Sequence, residues 1–128
     1  YKEYAIADTN EVQSVTTAAA GECDVLYIPT DNTLASVTET VYNVVAPAKI
    51  PVIAGEEGIC NGCGVATLSI SYYDLGYATG EMAYEILAEG ADITTMDVRY
   101  APNVTKKYNA KFCEELGITV PDDYVAIQ

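Results

Sequence analysis

Strand-sized apolar runs alternate with stretches of helical spacing along nearly the whole chain, and the turns between them are short. This alternation restricts the fold severely, because strand, crossover helix and next strand together build a parallel sheet. The sharpest run, Asp24-Val25-Leu26-Tyr27-Ile28, is apolar at nearly every position, as a strand buried on both faces should be. Pro29 ends it, and Thr30-Asp31-Asn32-Thr33 offers several helix N-caps. The next helix, Leu34 to Ala46, places Leu34, Val37, Val41 and Val44 on one side, and Pro47 closes it. Ile50 to Ala54 reads as the following strand, Gly55-Glu56-Glu57-Gly58 as a loop, and Val65 to Ile70 as another strand.

The flanks follow the same rhythm. Tyr4 to Ala7 is strand-like, and Asn10 caps a helix running to Ala20 with Gly21 as its stop. Asp74 to Glu89 has the strongest helical pattern, with Leu75, Ala78, Met82, Ala83, Ile86 and Leu87 on one side. Asp97 to Tyr100 reads as a short strand and Thr105 to Leu116 as a helix. The predicted class is α/β: a doubly wound, mostly parallel sheet with helices on both faces, in one domain of 128 residues. The chain opens Tyr1-Lys2-Glu3-Tyr4 without an initiator Met or a signal peptide, which reads as a start inside a longer protein.

Charge and residue usage exclude several functions. Nineteen acidic residues against 6 basic ones give a net charge of −13, which repels nucleic-acid phosphates and anionic lipid. The absence of histidine removes Ser-His-Asp and Cys-His catalysis and most zinc hydrolase designs. No phosphate-binding glycine pattern is present, so a nucleotide is not expected. Cys60-Asn61-Gly62-Cys63 lacks the further ligands a metal would need, and Gly62 and Gly64 suggest a turn rather than the helix N-terminus of a redox site. Small buried thiols and a structural disulfide both fit the four cysteines.

In open parallel sheets ligands gather at the carboxyl ends of the strands. This rule selects the loops Pro29–Asn32, Gly55–Gly58 and Ser69–Asp74. Thr30, Asp31 and Asn32 read either as a ligand clamp or as plain helix caps. Glu56 and Glu57 read either as a solvated acidic turn or as a pair of which one carboxylate points into a cleft to meet a cationic group, since two buried unpaired charges side by side are costly. Tyr72 can wall an aromatic pocket, and Asp74 suits a helix start regardless of function.

Asp24–Asn32 (DVLYIPTDN), Ile50–Gly58 (IPVIAGEEG), Ala66–Gly80 (ATLSISYYDLGYATG) and Gly117–Pro121 (GITVP) resemble, in order, the substrate-binding proteins of ABC transporters, specifically the tryptophan/tyrosine-type branch with a type I periplasmic-binding fold. The resemblance covers only the later half of that two-lobed family. It implies a non-enzymatic protein that captures an aromatic or other apolar amino acid outside the membrane, in the periplasm or lipid-anchored at the cell surface, and presents it to a permease. It implies no cofactor and no metal. It assigns Asp31, Asn32, Glu57, Tyr72 and Asp74 to the ligand site, beside Thr30 and Glu56 from the strand-end loops, with Asp31, Glu57 or Asp74 pairing with the α-ammonium, helix N-terminal amides taking the α-carboxylate and Tyr72 contacting the side chain. Ser71 departs from the pattern, where many relatives are expected to carry Asp. The helix from Asp74 to Glu89 would belong to the other lobe, leaving an apolar face that a homodimer or domain swap of the fragment would cover. The competing reading is a flavodoxin- or receiver-like signalling domain binding Mg²⁺ at acidic strand ends, although Lys49 precedes its strand and Asp8 stands alone.

Overall fold

The structure is a computed structural model that describes residues 1–128. In chain order its elements are α1 (Val12–Glu22), β1 (Leu26–Ile28), α2 (Asn32–Ala35), α3 (Thr38–Ala48), β2 (Val52–Ala54), α4 (Glu57–Cys63), β3 (Ala66–Ile70), α5 (Tyr72–Leu87), β4 (Val104–Tyr108), α6 (Ala110–Leu116) and β5 (Val125–Ala126). The chain forms two compact units, Tyr1–Ser69 with Thr105–Gln128, and Ile70–Val104.

The strands make one sheet in the order β1-β2-β3-β4-β5. β1 pairs parallel with β2 (Leu26 opposite Val52), β2 with β3 (Ile53 opposite Ala66) and β4 with β5 (Lys107 opposite Val125). The expected α/β class, a mostly parallel sheet with helices, is the observed one. Strand alternation sorts the side chains of β1–β3. Ile28, Val52 and Ala54 turn to one face and join Val12 of α1, Val41 and Val45 of α3, and Ile59, Cys60 and Cys63 of α4 in the main core. Tyr27, Ile53 and Leu68 turn to the other face and stay 67, 39 and 56% exposed, so along these strands the lobe carries helical cover on one side only. A smaller cluster joins Val65 to Phe112 and Cys113 of α6, with Tyr42 of α3 stacked on Phe112 at 4.5 Å between ring centroids.

Several local expectations are corrected. Tyr4–Ala7 forms no strand, because no neighbouring strand pairs with it. Gly21 lies inside α1 instead of stopping it. The helix expected from Leu34 to Ala46 breaks at Ser36-Val37 into α2 and α3, and Pro47 sits in the last turn of α3, which ends at Lys49 in the left-handed region (φ 57°). Cys60-Asn61-Gly62-Cys63 is helical, not a turn, because Glu56 caps a helix beginning at Glu57. Residues 105–116 divide into β4 and α6 at Asn109, whose side chain accepts a hydrogen bond from the Phe112 N–H and so starts the helix there. Asp97–Tyr100 forms no strand.

In the second unit Ser71 is the N-cap of α5, with its Oγ accepting from the Asp74 N–H at 3.1 Å. None of the sixteen residues of α5 is buried. Arg99 donates through Nη2 to both carboxylate oxygens of Glu85, at 2.8 and 2.7 Å.

Candidate functional site

The loops after β1 and β2 lie against each other. The Gly55 N–H donates to the Ile28 carbonyl at 2.7 Å, and Thr30 Oγ1 donates to the Gly55 carbonyl at 3.2 Å. A Cβ at position 55 would stand 2.6 Å from the Thr30 nitrogen, so this approach requires glycine. Thr30, Asp31 and Asn32 are thereby brought beside Glu56 and Glu57, as the carboxyl-end rule anticipates.

Capping explains part of the acidic character. Asp31 Oδ1 accepts from the Leu34 N–H at 2.8 Å and starts α2. Glu56 accepts from the Gly58 N–H at 2.7 Å and from the Ile59 N–H, and starts α4. Glu57, one residue on, points elsewhere: its Oε2 accepts from Lys107 Nζ at 2.6 Å and from Ser69 Oγ at 3.0 Å. The adjacent carboxylates thus have separate partners, which avoids two unpaired charges in one place. Asp31, Asn32 and Thr30 are exposed. Tyr72 and Asp74 belong to the second unit, in the first turn of α5, where the Tyr72 side chain is exposed.

Lys107 is the participant that sequence reasoning missed. It lies 50 residues from Glu57 in the chain and was assigned to a helix, whereas in β4 it reaches the strand-end cluster. Its hydrogen bond holds the Glu57 carboxyl below the ordinary carboxylate range, against partial burial and with help from Ser69. A depressed folded pKa contributes stability above the unfolded value, near 4.5, and loses it as pH falls through the lower folded value. Lys107→Met should therefore cost up to about 1 kcal/mol at neutral pH, since the pair keeps access to water. The difference between variant and wild type should shrink as pH falls from about 4.5 through the lower folded value, in urea unfolding followed across pH. An unchanged difference at acid pH would mean that Lys107 acts by packing.

The cysteines offer no reactive group at this site. Cys60 and Cys63 are buried in α4, and burial pushes both thiols up to about 12. Such thiols are poor nucleophiles. All four cysteines are free in the structure, and no group of three or more acidic or cysteine side chains is arranged to hold a metal ion.

Comparison with known proteins identifies the family of the chain. The family model described as ABC transporter substrate binding protein matches residues 1–127. A tyrosine-binding protein of Clostridioides difficile (strain R20291) is 40% identical over 100 residues, covering 74% of this chain and 29% of that protein. An ABC domain from Streptococcus pneumonia, solved in complex with L-Trp, is similar with a TM-score of 0.86 and 30% identity, over 99% of this chain and 45% of that one. A conserved domain protein from Vibrio cholerae is similar with a TM-score of 0.83 and 31% identity, over 96% of this chain and 43% of that one. The chain thus spans less than half the length of these relatives, and it belongs to the ABC transporter substrate-binding protein family.

Proposed function

We propose that this chain is the later lobe of a two-lobed, extracytoplasmic binding protein that captures an aromatic amino acid for an ABC importer and catalyses no reaction. The observation that carries the reading is the pair of interlocked strand-end loops, Thr30–Asn32 and Gly55–Glu57, in a fold shared at TM-score 0.86 with a domain holding L-Trp. Family membership displaces the receiver-like alternative.

The site's own bonding refines which groups meet the ligand. Asp31 is exposed and spends one carboxylate oxygen on its cap, so it is the best partner for an α-ammonium. The Leu34, Gly58 and Ile59 amides already serve Asp31 and Glu56, so the ligand carboxylate falls to side-chain donors such as Asn32. Glu57, held by Lys107, shapes the loop and does not itself grip the ligand.

The test is a thermal shift of the full-length gene product with phenylalanine, tyrosine, tryptophan, leucine and a sugar control. A ligand at a hundred times its dissociation constant stabilises by about 2.7 kcal/mol, or several degrees. A selective shift with one or two aromatic amino acids is expected. A shift with the sugar alone, or with nothing in the panel, overturns the ligand assignment.

A further inference from the structure

A zwitterionic ligand at the strand-end loops needs a positive charge that the helix caps do not provide, because burying a carboxylate against neutral groups alone is costly. The Leu34, Gly58 and Ile59 amides are committed to Asp31 and Glu56, and Asn32 offers an uncharged donor. The chain holds only six basic residues. Lys2 pairs with Glu22, Arg99 with Glu85, Lys106 with Asp123 and Lys111 with Glu115. Lys49 lies between α3 and β2, ahead of the strand. Only Lys107 is paired with a residue of the strand-end loops, Glu57.

The pleat of β4 explains why Lys107 reaches this place and Lys106 does not. Alternate residues of a strand share a face. Asn109, just past the end of β4, donates to the Cys60 and Asn61 carbonyls and so lies against α4. Lys107, two residues earlier, takes the same face and reaches Glu57, the first residue of α4, at 2.6 Å. Ser69 of β3 meets the same Glu57 oxygen at 3.0 Å. An ammonium carries three hydrogens, and Glu57 takes one. The Lys107 side chain is 27% exposed, so it is anchored and still open to a solute. The loop of Asp31 is tied to the loop of Glu57 through Gly55, so opposite charges stand on adjoining loops.

We propose that Lys107 makes the site selective for solutes that carry a carboxylate: its ammonium, anchored by Glu57, donates to the α-carboxylate while Asp31 accepts from the α-ammonium. A charge-assisted hydrogen bond at each end of the zwitterion fixes its orientation. The assignment rests on the amino-acid reading proposed above. It gives Lys107 a direct contact with the ligand in addition to its hold on Glu57, and the two roles separate by experiment.

The test is titration calorimetry of the full-length gene product with phenylalanine, tyrosine and tryptophan and with their primary amides, which keep the ammonium and the ring and lose the carboxylate charge. The wild-type protein should bind its amino acid at least about tenfold more tightly than the matching amide, as a hydrogen bond to a charged group is worth. Lys107→Met should weaken the amino acid by about tenfold and leave the amide within about twofold, which removes the preference. Lys107→Arg keeps the charge and should keep a preference for the amino acid. Melting of each variant without ligand checks that it folds. An equal loss for amino acid and amide in Lys107→Met means that Lys107 acts only through Glu57 and overturns the proposal. So does a wild-type protein that binds both equally. Binding of neither set overturns the amino-acid reading itself, and this assignment with it.

Discussion

Asn109→Asp is expected to destabilise the fold by about 3 kcal/mol at neutral pH, more than the larger deletion Asn109→Ala, since a carboxylate put against buried carbonyls is penalised beyond a lost hydrogen bond. Asn109 is 8% exposed and works in three directions. Its Oδ1 caps α6 by accepting from the Phe112 N–H at 3.3 Å. Its Nδ2 donates to the carbonyls of Cys60 and Asn61 at 3.3 and 3.0 Å, tying α6 to α4. Its own N–H donates to the Val65 carbonyl at 3.0 Å, in line with β3. Aspartate keeps the cap and gains slightly from the helix dipole, worth about 0.3–1 kcal/mol. That gain is smaller than the penalty of an anionic oxygen facing two carbonyls. Alanine loses the cap and both donations but introduces no charge. Protonation would turn the new carboxyl into a donor, so its folded pKa must be raised and the damage must shrink as pH falls through that value. Urea unfolding at pH 7 and pH 5 checks both points. An aspartate variant as stable as the alanine variant at pH 7, or equally damaged at both pH values, would break the assignment of Nδ2 toward the carbonyls.

Asn109 also marks where the sequence stops being legible. β1, β2 and β3 were readable because Leu26–Ile28, Val52–Ala54 and Ala66–Ile70 lie within dense apolar runs set off by proline, glycine and serine. α5 was readable from its periodicity alone, although none of its residues is buried in this chain. β4 was not, because Val104-Thr105-Lys106-Lys107-Tyr108 has little apolar alternation. The four-residue steps Tyr108, Phe112 and Leu116 extended a helical pattern back across the cap. α4 was hidden by Gly58 and Gly62, poor helix formers, and by a cap made by glutamate instead of a commoner residue. Tyr4–Ala7 was read correctly as strand-competent and incorrectly as a strand, because pairing depends on a neighbour that local sequence does not contain. The same limit applies at the site. Thr30, Asp31, Asn32, Glu56 and Glu57 follow from the rule about strand ends, whereas Lys107 reaches Glu57 only through the tertiary fold.

Gly55→Ala should damage both stability and ligand capture, because the methyl group has no room that a side chain could yield. Its Cβ would lie 2.6 Å from the Thr30 nitrogen and 2.9 Å from the Pro29 carbonyl carbon, and both are backbone atoms. The two loops must move apart, which strains the Gly55 N–H bond to Ile28 and the Thr30 Oγ1 bond to Gly55. Overpacking of this kind costs about 1–3 kcal/mol. Separation of the loops also displaces Asp31 and Asn32, so under the proposed function the full-length gene product's affinity for its amino acid should fall about tenfold or more, as a misplacement near 1 Å can do in a preorganised site. Gly21→Ala is the control: it makes the same chemical change within α1 with nothing within 4 Å of the new methyl, and alanine gains up to about 1 kcal/mol over glycine in a helix. The two variants should move the melting temperature in opposite directions, and only Gly55→Ala should weaken binding in titration calorimetry. Unaltered affinity in a folded Gly55→Ala protein would show that the Thr30–Asn32 loop lies outside the ligand site, and the assignment of Asp31 to the α-ammonium would fall with it.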